Sequence, residues 1–218
     1  MIVLDPRWSR ARLANAGREM AFAWLALNRL PLPDRVFFDR ESANAARRAE
    51  DPRSKHLLRP EWLGVYQRTW QGGWSAVAVD VEGCHVSRRV RPANGAPFWQ
   101  APGAPQDFTP LGVFCHEIGH HVDHVLDPQT CSKRSGFQAV VDGEEDVSTA
   151  EYNLLESFAE AIRLFITNPR LLAEGRPDRF EHLTRTVGLK PLYWSPWRHV
   201  LSRAGARVVA STEAWLDQ

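Results

Sequence analysis

The chain has 218 residues, 44% of them hydrophobic and 24% charged, with a formal net charge of +1. That is the composition of an ordinary globular protein, read as one domain over residues 1–218 with room for a substantial core. The near-neutral balance gives no global argument for nucleic acid or an anionic membrane, and no apolar run reaches membrane-spanning length.

Only Lys55, Lys133 and Lys190 are lysines, so 24 of the 27 basic residues are arginine. This skew reads first as codon bias. Runs such as Arg88-Arg89-Val90-Arg91 are then weak evidence for phosphate binding. Cys84, Cys115 and Cys131 are odd in number and follow no metal or disulfide spacing. They read as free thiols in a reducing, cytoplasmic compartment. Met20 to Leu27 is too short and too far along the chain for a signal peptide, and it has no cleavage-site flank.

In chain order, Asp5-Pro6 opens a helical pattern to about Arg29, with Leu13, Met20, Trp24, Leu27 and Leu30 on a core face. Leu30 to Pro33 stops it. Val36-Phe37-Phe38 predicts a short buried strand. Glu41 to Glu50 predicts a surface-type helix, and Asp51 to Pro60 a polar loop. Leu63–Trp70, Trp74–Val81 and Cys84–Val90 predict an antiparallel meander. Gln71-Gly72-Gly73 and Glu82-Gly83 supply its turns. An edge strand of this meander is a candidate groove for an extended peptide, and a plain half-buried sheet fits the pattern as well. Pro92 to Pro110 contains five prolines and no periodicity, so it reads as an irregular loop. Phe98-Trp99 inside it either covers a site or pins the loop down.

Leu111 to Leu126 is the stretch that carries chemistry. Thr109 can cap this helix, Pro110 suits its first position, and Asp127-Pro128 ends it. Leu111, Val113, Phe114, Ile118, Val122 and Val125 make much of it a buried helix. Within it, His116-Glu117-Ile118-Gly119-His120 is an H-E-x-x-H pattern. Positions i and i+4 share a helix face, so His116 and His120 can aim two imidazoles at one point. Imidazole suits zinc at about 2.0–2.1 Å. Glu117 can then reach a water at the open position, which is why the pattern points to metal-assisted hydrolysis. Two histidines alone are weak evidence, because the motif also arises by chance. Gly119 costs about 1 kcal/mol against alanine at mid-helix, which a close approach at that turn would explain. Cys115 points about 100° away from His116, into the core. His124 shares the histidine face, but three ligands strung along one straight helix cannot surround a tetrahedral ion.

Asp127 to Val147 reads as a second loop, acidic at Asp142, Glu144, Glu145 and Asp146. Ser148-Thr149-Ala150-Glu151 is a capping-box pattern opening a helix that Asn168-Pro169 ends. Leu155, Phe158, Ala159, Ile162, Phe165 and Ile166 form its buried face, with Glu156 and Glu160 one turn apart beside it. These like charges repel, more so when buried. A cation and a histidine N–H would turn that cost into a gain, and a solvated polar edge is the plain alternative. Both glutamates lie on one stripe, so spacing alone does not choose between them as ligand. Shorter helices follow at Pro177–Val187, closed by Gly188, and at Pro196–Ala204, between Ser195 and Gly205. A last segment ends in Trp215, and there is no internal repeat.

HEIGHHVD (His116 to Asp123) followed by ESFAEAIRLF (Glu156 to Phe165) resembles the gluzincin family that includes the anthrax lethal factor catalytic domain and the Pro-Pro endopeptidases. The family pattern is H-E-x-G-H-x-x-D and then E-x-x-A-E, and every named position is present. The match covers Leu111 to Pro169 at most. The resemblance implies an α+β, zincin-like metallopeptidase fold and a Zn2+ ion held by His116, His120 and Glu156. It makes Glu117 the general base and proton shuttle, and makes Glu160 and Asp123 the carboxylates that orient the histidines. One position departs. The family has a tyrosine seven residues before the glutamate ligand, where it helps stabilise the tetrahedral intermediate, and this chain has Thr149. Tyr152, one turn before Glu156, is the candidate replacement, with Tyr193, His182 and His199 as others. A metzincin would need glycine at 123 and histidine at 126, where Asp123 and Leu126 stand.

The expectation is a zinc endopeptidase acting on a peptide or protein, with no nucleic-acid or membrane partner. Nothing in the sequence sets an oligomeric state. The rival is a zincin-fold structural or interaction module, for example in a phage or toxin assembly. The missing tyrosine favours that rival and the intact Glu117 opposes it. An arginine- and tryptophan-rich nucleic-acid binder would need a basic face.

Overall fold

A computed structural model describes residues 2–4, 9–52, 57–68, 74–85, 88–90, 98–100, 103–126, 136–146, 151, 153–192 and 206–208. The chain is α+β and mostly helical, with a small mixed sheet. The first helix, α1 (Arg10–Leu27), begins later than Asp5-Pro6 suggests, and those two residues lie outside the described set. Ser9 caps it by accepting from the Arg12 N–H at 3.2 Å. Leu13, Met20 and Trp24 are fully buried, but Leu27 is 44% exposed, because Leu25 takes the inward place in the last turn.

Strands β2 (Arg35–Phe37), β3 (Gly64–Arg68) and β4 (Ser75–Val79) form a sheet in the order β2-β4-β3. Central β4 is buried on both faces from Ala76 to Val79. Val77 and Val79 join the main core. Ala78 turns the other way, onto Leu58 and the Ala43 of helix α2 (Arg40–Glu50). The expected meander is corrected here. β3 and β4 pair antiparallel, but β4's other edge takes β2, in parallel. After β4 the chain turns, with the Cys84 N–H on the Asp80 carbonyl, and the His85 N–H then bonds to the Phe108 carbonyl at 2.9 Å. That leads it away from β4. Arg88–Val90 (β5) pairs instead with Phe98–Gln100 (β6), a strand inside what reads as an irregular loop. The Gly72-Gly73 turn lies outside the described residues.

Helix α3 (Pro110–Leu126) runs through the centre. Thr109 caps it, its Oγ1 accepting from the Gly112 N–H at 3.3 Å. α1, the sheet and α5 (Leu154–Thr167) pack around it, and their side chains form one core. A short helix, α4 (Phe137–Gly143), stands where the sequence suggests only loop. Fully buried Phe137 anchors it, edge-on to Phe158 with centroids 5.3 Å apart. One anchor over seven residues leaves too little periodicity to read.

The capping-box reading of Glu151 is also corrected. Asn153 caps α5, its Oδ1 accepting from the Leu155 and Glu156 N–H groups at 2.9 and 3.1 Å. Glu151 is buried and pairs with buried Arg179. Leu155, expected in the core, is 37% exposed. Asn168 ends α5 and starts α6 (Pro169–Gly175), with Pro169 in the first turn. α7 (Pro177–Glu181) continues as a π-helical turn to Thr186, over the stretch read as helical. At the ends, β1 (Ile2–Leu4) pairs antiparallel with β7 (Ala206–Val208). The expected helix at 196–204 and Trp215 lie outside the described residues. Among the described residues no helix is long and apolar enough to cross a membrane.

Candidate metal centre

The site forms where α5 crosses α3. A Cβ on Gly119 would stand 2.6 Å from the Ala159 Cα and 2.8 Å from its carbonyl oxygen, so only glycine allows this approach. Ala159 lies between Glu156 and Glu160 in sequence. The close crossing therefore hangs both carboxylates over the paired rings of His116 and His120, whose centroids are 4.8 Å apart.

His116 Nε2 lies 3.0 Å from Glu156 Oε2 and 3.2 Å from His120 Nε2, and His120 Nε2 lies 3.4 Å from Glu156 Oε2. Three donors bound at about 2.0–2.1 Å to a tetrahedral zinc ion stand about 3.3–3.4 Å apart. The triangle of two imidazole nitrogens and one carboxylate oxygen thus fits a metal ion, and it is the one such group among the described residues. Two neutral rings and one carboxylate are a donor set suited to a borderline-soft divalent cation.

Glu160 faces the other side of His116. Its Oε1 lies 2.7 Å from His116 Nδ1. Were a cation to displace the Nε2 proton, a proton kept on Nδ1 by Glu160 would leave the Nε2 lone pair aimed at the triangle. Burial works against the His116 cation, but the Glu156 and Glu160 carboxylates outweigh it and hold the ring's pKa up to about 10. Burial alone would raise Glu156 and Glu160. Hydrogen bonds from His116 and His120 bring Glu156 well below the usual carboxylate range, and Arg163 with His116 does the same for Glu160.

Arg163, in the apolar run AIRLF, is a further site residue that motif spacing does not reveal. Its guanidinium grips both Glu160 oxygens and reaches the carbonyls of Ala104 and Pro105. An arginine in the middle of a helix's buried stretch was the available signal. Asp107 was missed as well. It accepts from the Gly103 and Thr109 N–H groups and from the Thr109 hydroxyl, and burial pushes it up to about 6.

Glu117 is buried beside the histidines, and burial raises its pKa. β3 runs directly over it, where a Cβ on Gly64 would stand 2.6 Å from Glu117 Oε1. This packing leaves a cleft of about 690 Å³ lined by Trp62 to Tyr66, Phe108, His116, His120, Glu156, Glu117, Asp123, His124, Leu155 and Glu160. Asp123 is buried in the cleft wall. His182 packs on Phe137 instead and does not line the cleft. Thr149, Tyr152, Tyr193 and His199 lie outside the described residues. Cys84 and Cys115 are buried free thiols, pushed up by burial, Cys84 to about 12. They are unsuited to act as nucleophiles.

No family model, curated protein or solved structure was found to match the chain. The motif residues and the geometry they adopt therefore carry the functional reading.

Proposed function

We propose that this protein is a zinc-dependent endopeptidase of gluzincin type with a zincin-like fold. The observation that carries the reading is the triangle of His116, His120 and Glu156 donor atoms at 3.0–3.4 Å, with buried Glu117 beside it. Bound zinc would polarise a peptide carbonyl and acidify a water molecule. Glu117 takes the proton of the attacking water and returns it to the leaving amine. Its raised pKa suits a group that must hold a proton between those two transfers. Glu160 keeps the His116 ring oriented, and the family resemblance gives Asp123, buried in the cleft wall, the matching part for a histidine.

The substrate lies along β3, an edge of its sheet among the described residues, whose backbone borders the cleft. An extended peptide can add to such an edge by main-chain hydrogen bonds. Trp62 and Leu155, 39% and 37% exposed, offer apolar contact on the cleft walls. The test is a peptide-library digest by zinc-loaded protein, with and without a chelator, beside metal analysis. Reproducible cuts that the chelator abolishes support the reading. Stoichiometric metal with no cuts would favour a structural module, and absence of metal after zinc-replete purification would remove the centre.

A further inference from the structure

Arg163 is 1% exposed and lies one turn beyond Glu160 on α5. A buried ion is a poor device for stability, since a packed apolar side chain serves as well or better. Its hydrogen bonds suggest another use. Nε donates to Glu160 Oε1 and Oε2, each at 3.1 Å, and Nη2 to Oε2 at 2.8 Å. Nη1 donates to the Ala104 carbonyl at 2.9 Å and Nη2 to the Pro105 carbonyl at 2.8 Å. A free glutamate carboxylate rotates broadly about its last torsion. Here the planar fork fixes it, so that Oε1 faces His116 Nδ1. The two carbonyls belong to the segment that passes through Asp107 to the Thr109 cap of α3, the helix that carries His116. Arg163 thus joins the ring's carboxylate partner to the start of the ring's own helix.

We infer that Arg163 is a positioning residue of the metal centre. It holds Glu160 on His116 and thereby sets the affinity and ligand geometry of the bound ion. This rests on the metal-centre reading above. Lysine cannot replace it, because a compact ammonium cannot span a carboxylate and two carbonyls in one plane.

The experiment uses full-length wild type, Arg163→Lys, Glu160→Gln and Glu160→Gln/Arg163→Met. Each is titrated with Zn2+ against a chromophoric chelator, and each is loaded with Co2+ to record its visible absorption. Arg163→Lys should keep its far-ultraviolet dichroism, bind Zn2+ about 10–100-fold more weakly and change the Co2+ bands. Because Arg163 acts through Glu160, the double variant should bind as Glu160→Gln alone does. The double variant removes both members of the buried pair together, so it is available even if Arg163→Lys fails to fold, and the far-ultraviolet dichroism of Glu160→Gln, which keeps Arg163 buried without its carboxylate, is recorded beside it. Wild-type affinity and spectrum in Arg163→Lys would overturn the inference. So would a further loss in the double variant beyond Glu160→Gln. Failure of wild type itself to bind Zn2+ or Co2+ would overturn the metal centre as well, and so stands apart from those outcomes.

Discussion

At the scale of single residues, three carboxylates on two helices face one pair of rings in three different ways. Glu117 is buried beside the rings without closing the donor triangle, so Glu117→Gln should keep stoichiometric zinc and lose peptide hydrolysis. Metal analysis and the peptide digest, run on one preparation, check both halves. Glu156 meets Nε2 of both histidines, whereas Glu160 meets only Nδ1 of His116. Glu156→Ala should therefore abolish tight zinc binding. Glu160→Ala should weaken it by about 10–100-fold, as loss of a group orienting a ligand does. Chelator competition separates the two, and equal losses would contradict the division of roles.

At the scale of elements, the centre depends on how closely α3 and α5 cross. Gly119→Ala gains about 1 kcal/mol in helix propensity. Its new Cβ must nevertheless stand 2.6 Å from the Ala159 backbone, which has no flexible side chain to yield. Overpacking of this kind costs about 1–3 kcal/mol, so the net effect should be destabilising. Urea denaturation measures it, and zinc affinity should fall in the same variant as the two ligand sets separate. Beside that crossing, Trp62 stands exposed at the entrance to β3. Trp62→Ala should raise KM for the cleaved peptides and leave zinc content unchanged, and steady-state kinetics with metal analysis tests this.

At the scale of the whole molecule, the three proposed metal ligands come from two helices that unfolding would separate. A metal bound only by the folded chain adds about 2.7 kcal/mol of stability at a hundred times its dissociation constant. For a chain of this size each kcal/mol moves the melting temperature by about 2–4 °C. Chelator should accordingly lower the melting temperature by about 5–10 °C, and added Zn2+ should restore it. A second buried ion pair, Arg179 with Glu151, ties α7 to the chain just before α5. Arg179→Met removes the buried cation that Glu151 and Glu144 share and should cost about 3–5 kcal/mol in denaturant unfolding. It should leave the Co2+ spectrum as in wild type, because Arg179 takes no part in holding Glu160.

The sequence by itself determined the helices that span many turns, and where the chemistry sits on them. His116 and His120 share a face because helix geometry places i and i+4 together whatever surrounds them. The same local rule put Glu156 and Glu160 on one stripe, and for that reason it could not separate their roles. The Thr109 cap and the strand at Val36 were legible for similarly local reasons. Tertiary structure decided the rest. β4 took β2 as its parallel neighbour because hydrogen bonds from Cys84 and His85 turned the chain away from its edge. The close approach that Gly119 suggests is made by Ala159, which the sequence does not identify, and Arg163 has its use only against Glu160, Ala104 and Pro105. Each of these partners lies far along the chain or on another element, and local periodicity carries no record of which distant backbone will arrive.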